Sequence, residues 1–402
     1  MLSYASELKV SLPEFMLGTS RFQAMNKLLT VNNEWKREAF LRIKELLMAM
    51  YDFNASDMEV GGFGSNNMIW YRIYGHKKPM EEFGAITNDE ISIMLLSLLS
   101  DEQKVDLIKL KNIDLSIGFS VPGMTVDARF RCDIYYENNS IAGSFRKINQ
   151  KLFPINSLGF ADPVMKRLSL THEKKGLILI TGITGSGKSS TLDAIVHMNN
   201  TSVNGHIVII GNPIEYIHRS VNCIIRHREV GEDVLSFKSG AREALRQDPD
   251  IIMVGEMRDS ETMSTVLEIT DSGHKVFSTM HTSSAVESIH RIIGEFPPNE
   301  QERIRMRLAD TLSVVVSQKL IPNVNGELTL AKEVLSVNAS VVAAIKNNNV
   351  SEVYQMISEG KKLGMNTIEQ DLFNLFKSGL ITKENAVNYA NNKNRMMQLL
   401  QY

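Results

Sequence analysis

The chain has 402 residues, room for two or three domains with proper cores, so neither disulfides nor a structural metal is required for stability. Its composition, 43% hydrophobic and 22% charged, is globular and excludes a disordered or collagen-like chain. With 44 Lys and Arg against 46 Asp and Glu, the net charge of −2 lacks the basic excess of a nucleic-acid binder, so nucleic acid is not an expected partner.

At the start of the chain, residues 1–10 lack the basic segment and apolar run of a signal peptide. Residues 1–34 show no convincing period. Trp35, Phe40, Ile43, Leu47 and Met50 then recur at helical spacing, with Lys36, Arg37, Arg42 and Lys44 between them. Packing against the next domain is the simpler reading of this stripe; a membrane-surface or partner helix is the other. Residues 68–74 are β-rich and stop at Gly75. Thr87 to Glu90 and Ser100 to Gln103 have capping-box spacing and predict two short helices. Strand patterns follow at 113–119, 125–136 and 142–148, completing a compact α+β domain. Pro154, Gly159 and Pro163 punctuate an expected linker.

From Gly176 onward, short apolar runs at 177–181, 206–210, 251–254 and 275–280 alternate with helix-length segments, which predicts a parallel sheet covered on both faces. Beyond about residue 320 the pattern is helical. Thr367 to Gln370 forms another capping box ahead of Leu372, Leu375 and Phe376, and Asn347–Asn349 and Asn391–Asn394 mark turns. The longest apolar runs, such as 93–96 and 177–180, fall far short of the ~20 residues that span a bilayer. Two cysteines, Cys132 and Cys223, make neither a zinc site nor a secreted disulfide framework. A soluble cytoplasmic protein is therefore expected.

The strongest motif is Gly182-Ile183-Thr184-Gly185-Ser186-Gly187-Lys188-Ser189, a full G-x-x-x-x-G-K-[ST] between a predicted strand and a predicted helix. Glycines let backbone N–H groups and the helix N-terminus face phosphate oxygens. Lys188 adds charge near the β- and γ-phosphates, Ser189 offers a hydroxyl to Mg²⁺, and Ser190 continues the cradle. Hydrolysis needs further carboxylates. Glu256, after the run 251–254, suits the Mg²⁺ side; Glu215, beyond the run 206–210 and Pro213, suits the attacking water. Singly, each is readable as a solvated loop glutamate. His281 ends the run 275–280, where it is either structural or a sensor of the third phosphate.

Together these stretches resemble the secretion-superfamily ATPases, and within them the pilus-retraction, or twitching-motility, branch. The resemblance rests on residues 182–191 (Walker A), 212–216 (Asp box), 227–231, 244–259 (Walker B) and 272–283 (His box), with 55–58, 363–368 and 379–385 also similar. It covers roughly residues 50–390. It implies an N-terminal extension (1–40), a PAS-like α+β domain (41–150), a linker (151–170), a RecA-like P-loop ATPase domain of α/β class (171–330) and a helical C-terminal region (331–402). It further implies a ring-shaped homo-hexamer that binds ATP and Mg²⁺ between the two domains. In this reading Glu215 is the catalytic glutamate, Ser189 and Glu256 organise the metal, and His281 serves the His box. Arg129, Arg131 and Arg146 would reach toward the γ-phosphate, a task suited to guanidinium, although three arginines on adjacent strands also fit a solvated face. Expected partners are an inner-membrane pilus platform protein and a partner pilus ATPase, with the protein peripheral at the inner-membrane pilus base. One departure stands out: the family's Glu-Asp-Pro-Ile-Glu reads Gly211-Asn212-Pro213-Ile214-Glu215. An accessory subunit with weak or partner-dependent ATPase, and an assembly-type secretion ATPase, are the alternatives.

Overall fold

The apolar stripe around residue 40 folds as one long helix, Asn33–Asp52, in the computed structural model, which describes residues 2–120, 127–148 and 151–401. Ala39, Ile43, Leu46, Leu47 and Met50 form its buried face, so the stripe is packing surface. The chain divides into two compact units, Met1–Gln150 and Lys151–Tyr402.

The first unit holds strands β1 (Ala55–Gly61), β2 (Trp70–Ile73), β3 (His76–Pro79), β4 (Asn112–Phe119), β5 (Ala128–Glu137) and β6 (Ser140–Lys147). They form an antiparallel sheet in the order β3-β2-β1-β6-β5-β4. The expected strand at 125–136 begins at Ala128 among the described residues; 125 and 126 lie outside them. Alternation sorts the two faces. Met58, Tyr71, Phe130, Cys132 and Phe145 enter the core, while Asp57, Arg72, Arg131 and Arg146 share the opposite face. The capping boxes at Thr87 and Ser100 both form and open helices Asn88–Ser97 and Asp101–Leu110.

The described part of the expected extension 1–40, residues 2–40, packs into this same core. Leu8 of helix Ala5–Ser11 and Phe22, Met25 and Leu29 of helix Gly18–Val31 are buried in it. The Leu2 amide donates to Glu90 (2.7 Å), and Arg21 grips Asp89 through two bonds (2.8 and 2.5 Å). A seven-residue helix and three buried positions are too little to raise a periodic signal.

In the second unit, β7 (Gly176–Thr181), β8 (Gly205–Gly211), β9 (Cys223–Glu229), β10 (Ile251–Val254), β11 (Lys275–Met280), β12 (Leu312–Pro322) and β13 (Leu328–Ser336) form one sheet. Its order is β13-β12-β7-β11-β10-β8-β9, parallel except for β13. Both faces are covered: Leu177, Leu179, Val208, Ile210, Ile252 and Val254 point into one core. Ile178, Ile180, Ile207, Ile209, Ile251 and Met253 point into the other. That is why the strands read as unbroken apolar runs.

Two expectations are corrected here. The chain is not helical directly after 320, because β12 continues to Pro322 and turns back as β13, antiparallel along its whole length. And the stretch 151–170 is not all linker, since helix Asp162–Leu168 buries Val164 and Leu168 in the sheet's core. Helices from Ala339 to Leu399 complete the chain, with the Thr367 capping box formed as expected. Ile368, Leu372, Ile381, Ala386 and Met396 cluster against Ile321 of β12 and Ala331 of β13.

Candidate nucleotide-binding and hydrolysis site

Strand β7 is buried at every residue and delivers the chain to the loop Gly182–Gly187, from which helix Lys188–Ser202 departs. Gly182 has φ +148°, and a Cβ there would lie 2.5 Å from the Gln318 carbonyl oxygen, so only glycine fits. Gly187, at φ +84°, caps the helix in the left-handed region. Ile183, Thr184 and Gly185 are exposed at the loop tip, whereas Ser186 is buried and Ser189 and Ser190 are half-buried in the first helical turn. Gln318 of β12 braces the loop by donating to the Ser186 carbonyl (2.7 Å). No motif in the sequence marks that glutamine, because the contact spans strands far apart in the chain.

Lys188 folds back over the loop, donating to the carbonyls of Gly182 (2.8 Å) and Ile183 (3.2 Å). Its Nζ also lies 3.5 Å from His281 Nδ1. Burial pulls the Lys188 pKa below the usual lysine value, and the negative charges of Glu256 and Glu215 work against that. Lys188 thus senses both carboxylates named from the sequence.

Glu256 follows β10, whose end is stitched to its neighbours: the Gly255 amide donates to the Ile210 carbonyl (2.8 Å) and the Met257 amide to the Thr279 carbonyl (3.0 Å). The Glu256 carboxylate, only 16% exposed, meets Arg258 Nε at 2.8 Å and His281 Nε2 at 3.1 Å. His281 stands at the end of β11, held also by Arg291, which donates to its carbonyl (3.2 Å). Its pKa is lowered by burial, then by the positive charge of Lys188, against the opposing pull of Glu256. A neutral ring that accepts from Lys188 at Nδ1 and donates to Glu256 from Nε2 satisfies every contact. His281 therefore links the loop lysine to the strand-end carboxylate. Arg258 lies within the stretch 244–259, two residues from Glu256, whereas no motif in the sequence marks Arg291.

Glu215 is exposed beyond β8, in a segment that follows a cis Asn212–Pro213 peptide. Asn212 is exposed and Gly211 buried, so the two departures from the family pattern sit at the end of β8.

In the first unit, Arg129, Arg131 and Arg146 do lie together on one sheet face, Arg131 directly opposite Arg146. Each is engaged there. Arg129 donates to Ser116 Oγ (2.7 Å), Arg131 holds Asp114 (3.1 and 2.5 Å), and Arg146 holds Asp57 (2.7 Å).

A glycine-rich loop between a parallel strand and a helix, with a basic loop residue, a strand-end carboxylate and a second carboxylate beyond the adjacent strand, defines a P-loop nucleoside triphosphatase of RecA-like architecture. The family model described as "Type II/IV secretion system protein" matches residues 43–393, and the chain belongs to that family. Over 345 residues it is 37% identical to the Type IV pilus retractation ATPase PilT of Pseudomonas aeruginosa, covering 86% of this chain and 96% of that protein. It is also 30% identical to the Type IV pilus ATPase PilU of the same organism, over 90% of this chain and 91% of that one. The crystal structure of the pilus retraction motor PilT with bound ADP superposes with a TM-score of 0.78 at 35% identity, covering 88% of this chain and 98% of that chain.

Proposed function

We propose that this chain is an ATP-hydrolysing motor that powers retraction, or disassembly, of a type IV pilus and works as a homo-hexamer. The observation that carries the reading is the contact chain Lys188–His281–Glu256–Arg258 at the lip of the phosphate loop, with Glu215 close enough for its charge to act on Lys188. The similarity to PilT supports the direction of the motor.

Backbone amides of the loop and the N-terminus of helix Lys188–Ser202 hold the phosphates, and Lys188 turns from the Gly182 and Ile183 carbonyls to the β- and γ-phosphate oxygens. Ser189 and Glu256 offer hydroxyl and carboxylate oxygens, the hard donors that suit Mg²⁺ with its retained waters. When bound, that ion neutralises charge on the β- and γ-oxygens. Glu215 orients the attacking water. His281, joined to both Lys188 and Glu256, registers whether the third phosphate is present. Arg129, Arg131 and Arg146 supply positive charge to the γ-phosphate once they exchange their present partners. Such charges are worth about 10³–10⁵-fold in related phosphoryl transfers.

Among the described residues no helix is long and apolar enough to cross a membrane. The expected site of action is the cytoplasmic side of the inner-membrane pilus base, against a platform protein. Gly211 and Asn212, where the family carries two carboxylates, favour a second reading: a nucleotide-binding accessory subunit whose turnover needs a partner pilus ATPase. Steady-state ATP hydrolysis by the purified chain beside Glu215→Gln, at matched nucleotide occupancy, separates the two. The motor reading expects turnover that falls at least 100-fold in the variant; tight binding without turnover in either protein transfers the assignment to the accessory subunit.

A further inference from the structure

Glu215 belongs to the segment 212–222, which has neither helix nor strand, so no backbone ladder sets its position. Side-chain and backbone anchors flank it instead, and the segment's far end is held by Asn200 of the phosphate-loop helix, which donates to the Arg219 carbonyl (2.8 Å) and accepts from the Val221 amide (3.0 Å). On the N-terminal side, the Ile214 amide donates to Glu229 Oε2 (3.2 Å). On the C-terminal side, the His218 amide donates to His227 Nε2 (3.0 Å), and His218 Nε2 lies 3.0 Å from Asp193 Oδ1. His227 and Glu229 both stand on β9, but Asp193 sits on the phosphate-loop helix, one turn beyond Ser189. The His218 side chain is 1% exposed and that of Asp193 13%, so the contact is dry.

We propose that Asp193 and His218 form a clamp that ties the Glu215 segment to the helix carrying Lys188 and Ser189, making both of them positioning residues for hydrolysis. The inference rests on Glu215 as the water-directing carboxylate. Burial raises the Asp193 pKa to about 8 and lowers that of His218 to about 4, so it disfavours charge on either side chain. An uncharged hydrogen bond fixes distance without adding a field beside the phosphates. Its loss is costly, because removing one partner strands a buried polar atom. His218 Nδ1 is buried with no hydrogen-bond partner among the described residues, so Nε2 makes the ring's hydrogen bond, while Tyr216 and His227 pack on its faces (ring centroids 4.6 and 6.2 Å). Displacing a reacting group by about 1 Å costs on the order of 10²-fold in rate.

The test uses the full chain with Asp193→Ala, Asp193→Asn and Glu215→Gln, each measured for kcat, KM, ADP affinity by calorimetry and hydrogen exchange. The clamp expects Asp193→Ala to speed amide exchange in 212–220 while the β7 peptide stays protected. It expects kcat to drop ten- to hundredfold with KM and ADP affinity within about threefold. Asp193→Asn, which keeps a hydrogen-bonding group at the same reach, restores protection and most of the turnover. Unchanged exchange in Asp193→Ala overturns the clamp whatever the rates do. Faster exchange with unchanged kcat overturns its positioning role, and loss of ADP binding together with kcat reduces it to a general structural contact. Turnover that survives Glu215→Gln, or wild-type protein without turnover, overturns the reading of Glu215 or of the motor, while exchange still decides the clamp.

Discussion

Lys188 concentrates the electrostatics of the site, because it is the cation that two loop carbonyls, His281 and the charges of Glu215 and Glu256 all address. A lysine drawn this far out of water has its charge partly uncompensated, and phosphate oxygens supply what the carbonyls cannot. Lys188→Ala is expected to weaken nucleotide affinity at least 100-fold while leaving the fold intact, since the glycines and Gln318 that shape the loop are untouched. Calorimetric titration with ADP checks it; unchanged affinity would remove the phosphate-loop assignment. The residues of this site were legible in the sequence because their chemistry is local: a tight loop, a lysine, carboxylates at strand ends. Gln318 and Asp193 were not, since each acts through a partner more than a hundred, or some twenty-five, residues away.

At the scale of elements, β13 shows how a buried group couples parts of the fold. Glu333 on this strand is 1% exposed, and its Oε1 accepts from the Ala285 amide (2.8 Å) at the start of helix Ala285–Gly294. Its other carboxylate oxygen is buried as well, facing the Ile368 backbone. Burial, with the nearby charge of Glu369, raises its pKa from 4.5 to about 7 against the opposing hydrogen bonds and Lys319. The folded chain therefore keeps the proton that the unfolded chain releases near pH 4.5, so stability falls as pH rises from about 4.5 to 7 and levels off above. At ~1.4 kcal/mol per pH unit this interval corresponds to at most about 4 kcal/mol. Denaturant unfolding should find Glu333→Gln more stable than wild type at pH 8 by up to that amount and nearly equal to it at pH 4. The same stability difference at both pH values would refute the charged-group account. This junction was hidden from sequence reading because β13 follows β12 as a hairpin, in a stretch whose apolar spacing also suits helices. The capping boxes at Thr87, Ser100 and Thr367 are legible in the sequence because the two residues that make each box are only three apart.

For the whole molecule, the assignment to retraction rather than assembly makes a cellular prediction. Deleting the gene should leave surplus pili that fail to retract, counted by electron microscopy together with loss of surface motility; bare cells would instead mark an assembly ATPase. The sequence by itself determined the phosphate loop, the order of the parallel strands' apolar runs, the capped helix starts and the family, because each depends on neighbours within a turn, a strand or a motif. Only the tertiary structure decided that residues 2–40 belong to the first core, that β12 and β13 extend the sheet, and that His281 bridges Lys188 to Glu256. It likewise brought Asp193 against His218. Those pairings form between segments distant in the chain, and the burial that makes them specific, by stripping water from polar groups that must then find each other, arises only once the chain is packed.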